Sequence, residues 1–170
     1  MKRIVDTVLE VIIVVIFAII VASIVWQVFS RYVLQAPSTV TGEFARLLFM
    51  WLALIGGAYT FGRAKHLAID IVPMLLPSRI RALMNVLILA LVAGFAIFVM
   101  IKGGWMLTAR TLASGQITPT LRFPMGYVYG AIPFSGGVIV FYCGHFLLRL
   151  WRDPDDVLVG RTESQIEVQP

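Results

Sequence analysis

Hydrophobic and charged positions alternate along this chain on a scale far longer than one helical turn. Four stretches carry no Asp, Glu, Lys or Arg: Val11 to Ser30, Leu47 to Gly62, Ala82 to Ile101 and Phe123 to Leu148. A helix rises about 1.5 Å per residue, so roughly 20 apolar residues cross a hydrocarbon core about 30 Å thick. The second run is short, and its flanking turns bring it to full length. Lipid offers the backbone no hydrogen-bond partners, so runs of this kind span as helices. The pattern predicts an all-α integral membrane protein with four transmembrane helices, over about 4–30, 41–63, 78–104 and 123–151. Residues 1–152 then form one transmembrane domain. Residues 153–170 read as a polar, disordered tail.

The connections refine this plan. Pro37, Ser38 and Thr39 mark the first loop, Thr39 or Thr41 is suited to cap the second helix, and Glu43 near its start favours the positive helix end. Between the second and third helices, Leu67 to Leu76 is apolar but interrupted by Asp70 and Pro73 and closed by Pro77. It is too short to span and is predicted to lie along the membrane surface, with Ser78 capping the third helix. Pro133 frees the carbonyl of Tyr129, so the fourth helix is expected to bend there. Helices in lipid associate through close packing of small residues. The candidate pairs are Ala53 with Gly57, Ala90 with Gly94, and Gly126 with Gly130.

Composition agrees, with 59% hydrophobic and 14% charged residues in 170. The net charge of +5 changes the picture only through its placement. Basic residues sit at the ends of the apolar runs rather than on one polar face, which points to topology and away from nucleic acid. With the amino terminus in the cytoplasm, nine Lys and Arg fall inside, and Arg31, Arg46, Lys102, Arg110 and Arg122 fall outside. That bias places both termini in the cytoplasm. Lys2 and Arg3 ahead of so long an apolar run suggest a retained signal anchor rather than a cleaved leader. Trp26, Tyr32, Trp105, Tyr127 and Tyr129 fall near the outer boundary and Trp151 near the inner one, as an aromatic belt would. Trp51 lies well inside the second helix, where helix packing is the expectation. Cys143 is the single cysteine, so no intramolecular disulfide forms.

Candidate chemistry is sparse. The expectation is that no ionisable residue lies deep in any helix, which argues against a transporter working alone. His66 and His145 leave a bis-histidine haem as one alternative, and a self-sufficient small four-helix transporter as another. No Cys/His spacing suits a metal, and no phosphate loop or nucleophile motif is present, so neither an enzyme nor a cofactor is expected. The notable charges are Arg31, Glu43 and Arg46. Glu43 and Arg46 share a helix face three residues apart. Either they form an interfacial ion pair with Arg31 snorkelling, or they meet a partner protein.

Taken in order, these features resemble the small membrane subunit, the Q component, of tripartite ATP-independent periplasmic (TRAP) transporters. The resemblance spans about Asp6 to Trp151. It rests on Arg31-Tyr32 closing the first helix and on Pro37 through Arg46, similar to the family's Pro-x-x-Trp-x-Glu-Glu-x-x-Arg. It continues in Gly56-Gly57-Ala58, Arg63 and His66-Leu67-Ala68-Ile69-Asp70, and in Pro124, Tyr129 and Ile132-Pro133. Val40 replaces the motif's Trp, and Gly42 replaces the first of its two acidic residues, leaving Glu43 alone. The resemblance implies a non-catalytic subunit of the bacterial inner membrane. It would brace a large subunit that holds the sodium and substrate sites, and help dock a periplasmic binding protein that delivers an organic acid. The residues it offers for partner contact are Arg31, Tyr32, Glu43, Arg46, Trp51, Gly57, His66, Asp70, Pro124, Tyr129 and Pro133, with membrane lipids around them.

Overall fold

The computed structural model describes residues 2–36, 38–63 and 78–152. The helices are α1 (Lys2–Tyr32), α2 (Thr39–Arg63), α3 (Ser78–Phe95), a π-helical segment (Ala96–Gly103), α4 (Gly104–Ala113), α5 (Met125–Tyr129) and α6 (Ala131–Arg152). Four spans are long and apolar enough to cross a membrane: Lys2–Tyr32, Thr39–Arg63, Val86–Ala113 and Met125–Leu148. The all-α, four-span expectation therefore stands. The surface segment expected over Leu67–Leu76, with His66 and Asp70, and the tail from 153 lie outside the described residues.

The bundle is ordered α1, α2, α6, then the third span. α1 lies on α2, α2 on α6, and α6 on the π segment. Leu9, Ile55, Leu89, Tyr142, Cys143 and Phe146 form the core where these helices meet at one end. Trp51 packs against that core, its ring centroid 6.1 Å from that of Phe134, so packing is its role within the chain. Tyr142 is fully buried and donates its hydroxyl proton to Asp6 Oδ1, tying the start of α1 to α6. Nearby, Arg63 Nη2 lies 3.8 Å from Glu10 Oε2, both exposed, a pairing that contributes little. Replacing Tyr142 by Phe removes the only proton that Asp6 receives from another helix among the described residues. We expect a loss of about 1 kcal/mol and a melting temperature lower by about 2–4 °C, measured by thermal unfolding in mild detergent. An unchanged melting temperature would show that the bond contributes nothing.

Close packing falls on Gly126 and on glycines outside the expected pairs. A Cβ at Gly62 would lie 2.3 Å from Tyr142 Cζ, one at Gly126 2.3 Å from Leu112 Cγ, and one at Gly136 2.8 Å from Met100 Cβ. Gly57 and Gly94 face open space among the described residues. Of the three small-residue pairs expected, only Gly126 therefore supports a contact between helices. Spacing alone does not say which face of a helix looks inward, and α2 turns Gly62 inward and Gly57 outward.

The third and fourth spans differ most from expectation. The third helix does not end near Gly104 but continues to Ala113, where Ser114 and Gly115 (φ 65°) close it. The charge of Lys102 ended the apolar run, but nothing from Trp105 to Ala113 breaks a helix. Within it, the Gly104 amide reaches back to the Val99 carbonyl, the five-residue spacing of a π turn. No residue pattern marks that segment. In the fourth span the regular helix is interrupted for one residue at Gly130, which keeps helical dihedrals (φ −56°, ψ −20°), directly after Tyr129, whose carbonyl Pro133 has no amide to meet. The Pro133 ring fits because Gly104 opposite has no side chain; a Cβ there would sit 2.9 Å from Pro133 Cδ.

Candidate functional site

At the end of the bundle opposite Tyr142, α4 and α5 are joined by a tight hairpin. Ile117 bridges Pro124, the Thr118 amide donates to the Phe123 carbonyl, and the Arg122 amide donates back to the Thr118 carbonyl. Thr118 is buried, and its hydroxyl accepts the Phe123 amide at 3.1 Å. Arg122 takes the left-handed region (φ 51°), which a non-glycine residue holds only when its surroundings over-determine it.

Glu43 supplies part of that constraint. Its Oε2 accepts the amides of both Thr120 and Leu121, each at 2.9 Å. Charge-assisted bonds of this kind are among the stronger ones available to a backbone amide. The expected Glu43–Arg46 ion pair is absent. The described residues contain one ion pair, Arg63 with Glu10, at the other end. Two convergent backbone amides match one carboxylate oxygen better than a flexible arginine one turn away, so the Glu43 charge goes to the hairpin. Thr41, proposed as a cap, instead donates its hydroxyl proton to the Ser38 carbonyl.

Arg31, Arg46, Arg110 and Arg122 are all exposed at this rim. With Glu43 engaged, the rim is electropositive. It also carries an open groove of about 540 Å³ lined in part by Gln27, Thr39, Glu43, Arg46 and Thr118. A second hollow of about 330 Å³ shares Gln27, Gly42 and Arg46 and continues toward Ile20 and Phe49. Gly42 leaves room for the Gln27 side chain of α1, whose Nε2 would lie 2.7 Å from a Cβ there and would have to shift.

The residues offered for partner contact therefore scatter. Arg31, Tyr32, Glu43 and Arg46 share this rim with Pro124, which precedes α5, and Tyr129, which is half-buried at its end. Trp51 and Pro133 are packed within the bundle, and Gly57 faces outward at greater depth. Sequence reasoning missed the hairpin contact altogether, because Glu43 and Thr120 are 77 residues apart and nothing local announces their meeting.

The groove and rim hold no group of three or more His, Cys, Asp or Glu among the described residues that would suit a metal ion. The arrangement offers an anion-attracting surface rather than reactive groups. The family model for tripartite ATP-independent periplasmic transporters, DctQ component, matches residues 20–153. The chain belongs to this family. The DctQ match takes in the rim, the hairpin and the last 13 residues of α1. Among its relatives is the sialic acid TRAP transporter small permease protein SiaQ of Vibrio cholerae, 30% identical over 141 residues, covering 83% of this chain and 80% of that one. A putative TRAP transporter small permease protein of Haemophilus influenzae is 25% identical over 128 residues, covering 75% and 78%. This DctQ-family chain is accordingly a multi-pass protein of the bacterial inner membrane, and its class is the small permease subunit of a TRAP transporter.

Proposed function

We propose that this subunit braces the large membrane subunit of its transporter and presents the Glu43 rim to a periplasmic substrate-binding protein, for sodium-coupled uptake of an organic acid. The family match over residues 20–153 carries the reading. Sialic acid, in the name of the Vibrio cholerae relative, is itself an organic acid. In this reading the sodium and substrate sites belong to the large subunit, and this chain contributes surface.

The rim faces the periplasm if the positive-inside bias holds, with Arg63 and the Asp6–Tyr142 end toward the cytoplasm. Arg31, Arg46, Arg110 and Arg122 then meet an acidic face of the binding protein. Complementary charge of this kind chiefly sets the rate of encounter and makes it salt-sensitive.

Expressed with its neighbouring genes and solubilised in mild detergent, the chain should co-purify with a much larger membrane protein. The pair reconstituted with the binding protein should accumulate an organic acid when a sodium gradient is imposed. Vesicles holding this chain alone should accumulate nothing. Failure to recover the larger protein, or uptake by this chain alone, would overturn the reading.

A further inference from the structure

The sequence led us to expect a membrane interior free of titrating side chains, and Lys102 contradicts it. Lys102 lies in the π segment, 16 residues after Val86 and 11 before Ala113 in the third span. The helix packing fixes its depth. Gly104 abuts Ile132 and Pro133, and Met100 and Ile101 abut Gly136, so Lys102 stands level with Phe134. Phe134 in turn contacts Trp51, the middle residue of α2. A cation at this depth costs about 2.5–3.5 kcal/mol on insertion scales. Snorkelling offers little relief. Helical side chains lean toward the amino terminus of their helix, which here points Lys102 away from the nearer, Glu43 end.

Charged residues at such depth ordinarily face the bundle interior or a watery cavity and pair there. Lys102 does neither. It is exposed on the outer face of the third span, and no side chain among the described residues pairs with it. Its neighbours on that face are apolar or aromatic, with Phe98 70%, Val99 53%, Trp105 69% and Met106 49% exposed, so Trp105, expected at the outer boundary, lies only one turn from Lys102. Gly103 beside it is also exposed, and a Cβ there would meet only the Phe98 carbonyl oxygen, at 3.8 Å, among the described residues.

The counter-charge must come from outside. The rim cation on this helix, Arg110, is eight residues on, so a lipid phosphate at the membrane surface lies more than about 12 Å away along the span. A second copy of this chain has nothing to offer either. Its acidic residues are Asp6, Glu10, Glu43, Asp70 and those from Asp153 onward, and none falls in the middle of a span. We propose that the outer face of the π segment is the docking surface for a membrane helix of the large subunit, one that carries an Asp or Glu at mid-depth and pairs it with Lys102. The inference rests on the reading above and names a contact within it. Each charge alone is costly in lipid, and pairing relieves both at once, so one ion pair would both attach the partner and set its depth.

The test co-expresses the two subunits with Lys102 intact or as Lys102→Met, Lys102→Glu or Lys102→Arg. For Lys102→Met and Lys102→Glu, recovery of the large subunit should fall about tenfold or more, equivalent to at least about 1.4 kcal/mol. Uptake should fall with it, while the chain alone inserts and melts no lower than the parent. Lys102→Arg should retain the complex. A photoreactive residue at 102 in the whole complex should label a large-subunit helix at an acidic residue, and exchanging that residue for Lys should rescue Lys102→Glu. Full complex and uptake with Lys102→Met would overturn the inference, as would labelling confined to lipid or to a second copy. The reading above would survive those results as long as the parent chain still recovers the large subunit. Should the parent itself recover none, both fall together.

Discussion

Replacing Gly62 by valine is expected to leave little folded protein in the membrane. A Cβ at this position would fall between 2.3 and 2.5 Å from three ring atoms of Tyr142. The ring cannot swing aside. It is fully buried, packs near Phe141 and Phe146, and is held at its far end by the bond to Asp6. Either the ring leaves the core and Asp6 loses its donor, or α2 moves off α6. Overpacking typically costs about 1–3 kcal/mol and sometimes more, and here a junction of three helices absorbs it. Against the stability of about 5–15 kcal/mol usual for folded proteins, that is a large fraction. The expected readout is a broad, early-eluting peak in detergent and a melting temperature many degrees lower. Gly57→Val is the control, because nothing among the described residues lies within 4 Å of a Cβ there, and the isolated subunit should melt like the parent. Parent-like behaviour of Gly62→Val would mean that the helices do not approach as closely as described.

Reversing the charge of Glu43 should have the second large effect, on the rim rather than on the bundle. In Glu43→Lys the amides of Thr120 and Leu121 lose their acceptor and face a cation instead. The hairpin keeps its internal bonds, from Thr118 to Phe123 and from Arg122 to Thr118, but loses its tie to α2. Arg122, held at φ 51°, is then free to relax. We expect amide exchange at positions 118–124 to rise sharply while the helical spans stay protected. If this rim receives the binding protein, uptake in the assembled system should fall to near background. Glu43→Gln keeps an oxygen acceptor without the charge and should fall between the two. Unchanged exchange at Thr120 and Leu121 in Glu43→Lys would dispose of the tie; rapid exchange with normal uptake would leave the tie in place and remove the hairpin from docking.

Particular residues show where reading the chain alone succeeds. The spans follow from long stretches without charge, because burying a charge in lipid is costly wherever it occurs in the fold. Pro133 announces the interruption at Gly130, since a missing amide and a ring clash act within one turn. Lys102 shows where the same rule misleads. Its charge reads as the end of a helix and therefore as the membrane edge, but the helix runs on to Ala113 and carries the lysine well inside the span. The rule that charge is expensive still holds there, and the cost is what calls for a partner. Glu43 shows a different limit. Its spacing to Arg46 is local and suggested an ion pair, whereas its real partners are amides 77 and 78 residues away.

Four apolar spans, charged ends and the ordered motifs of the DctQ family were determined by the sequence itself, because hydrophobic transfer and backbone satisfaction in lipid depend on local composition. Tertiary structure alone decided which glycines lie at contacts, how deep in the third span Lys102 lies, and where the Glu43 carboxylate goes. Those outcomes depend on the rotation of each helix about its axis and on the register of its neighbours. Both are set by packing between residues far apart in the chain, and a run of hydrophobic residues carries almost no record of them.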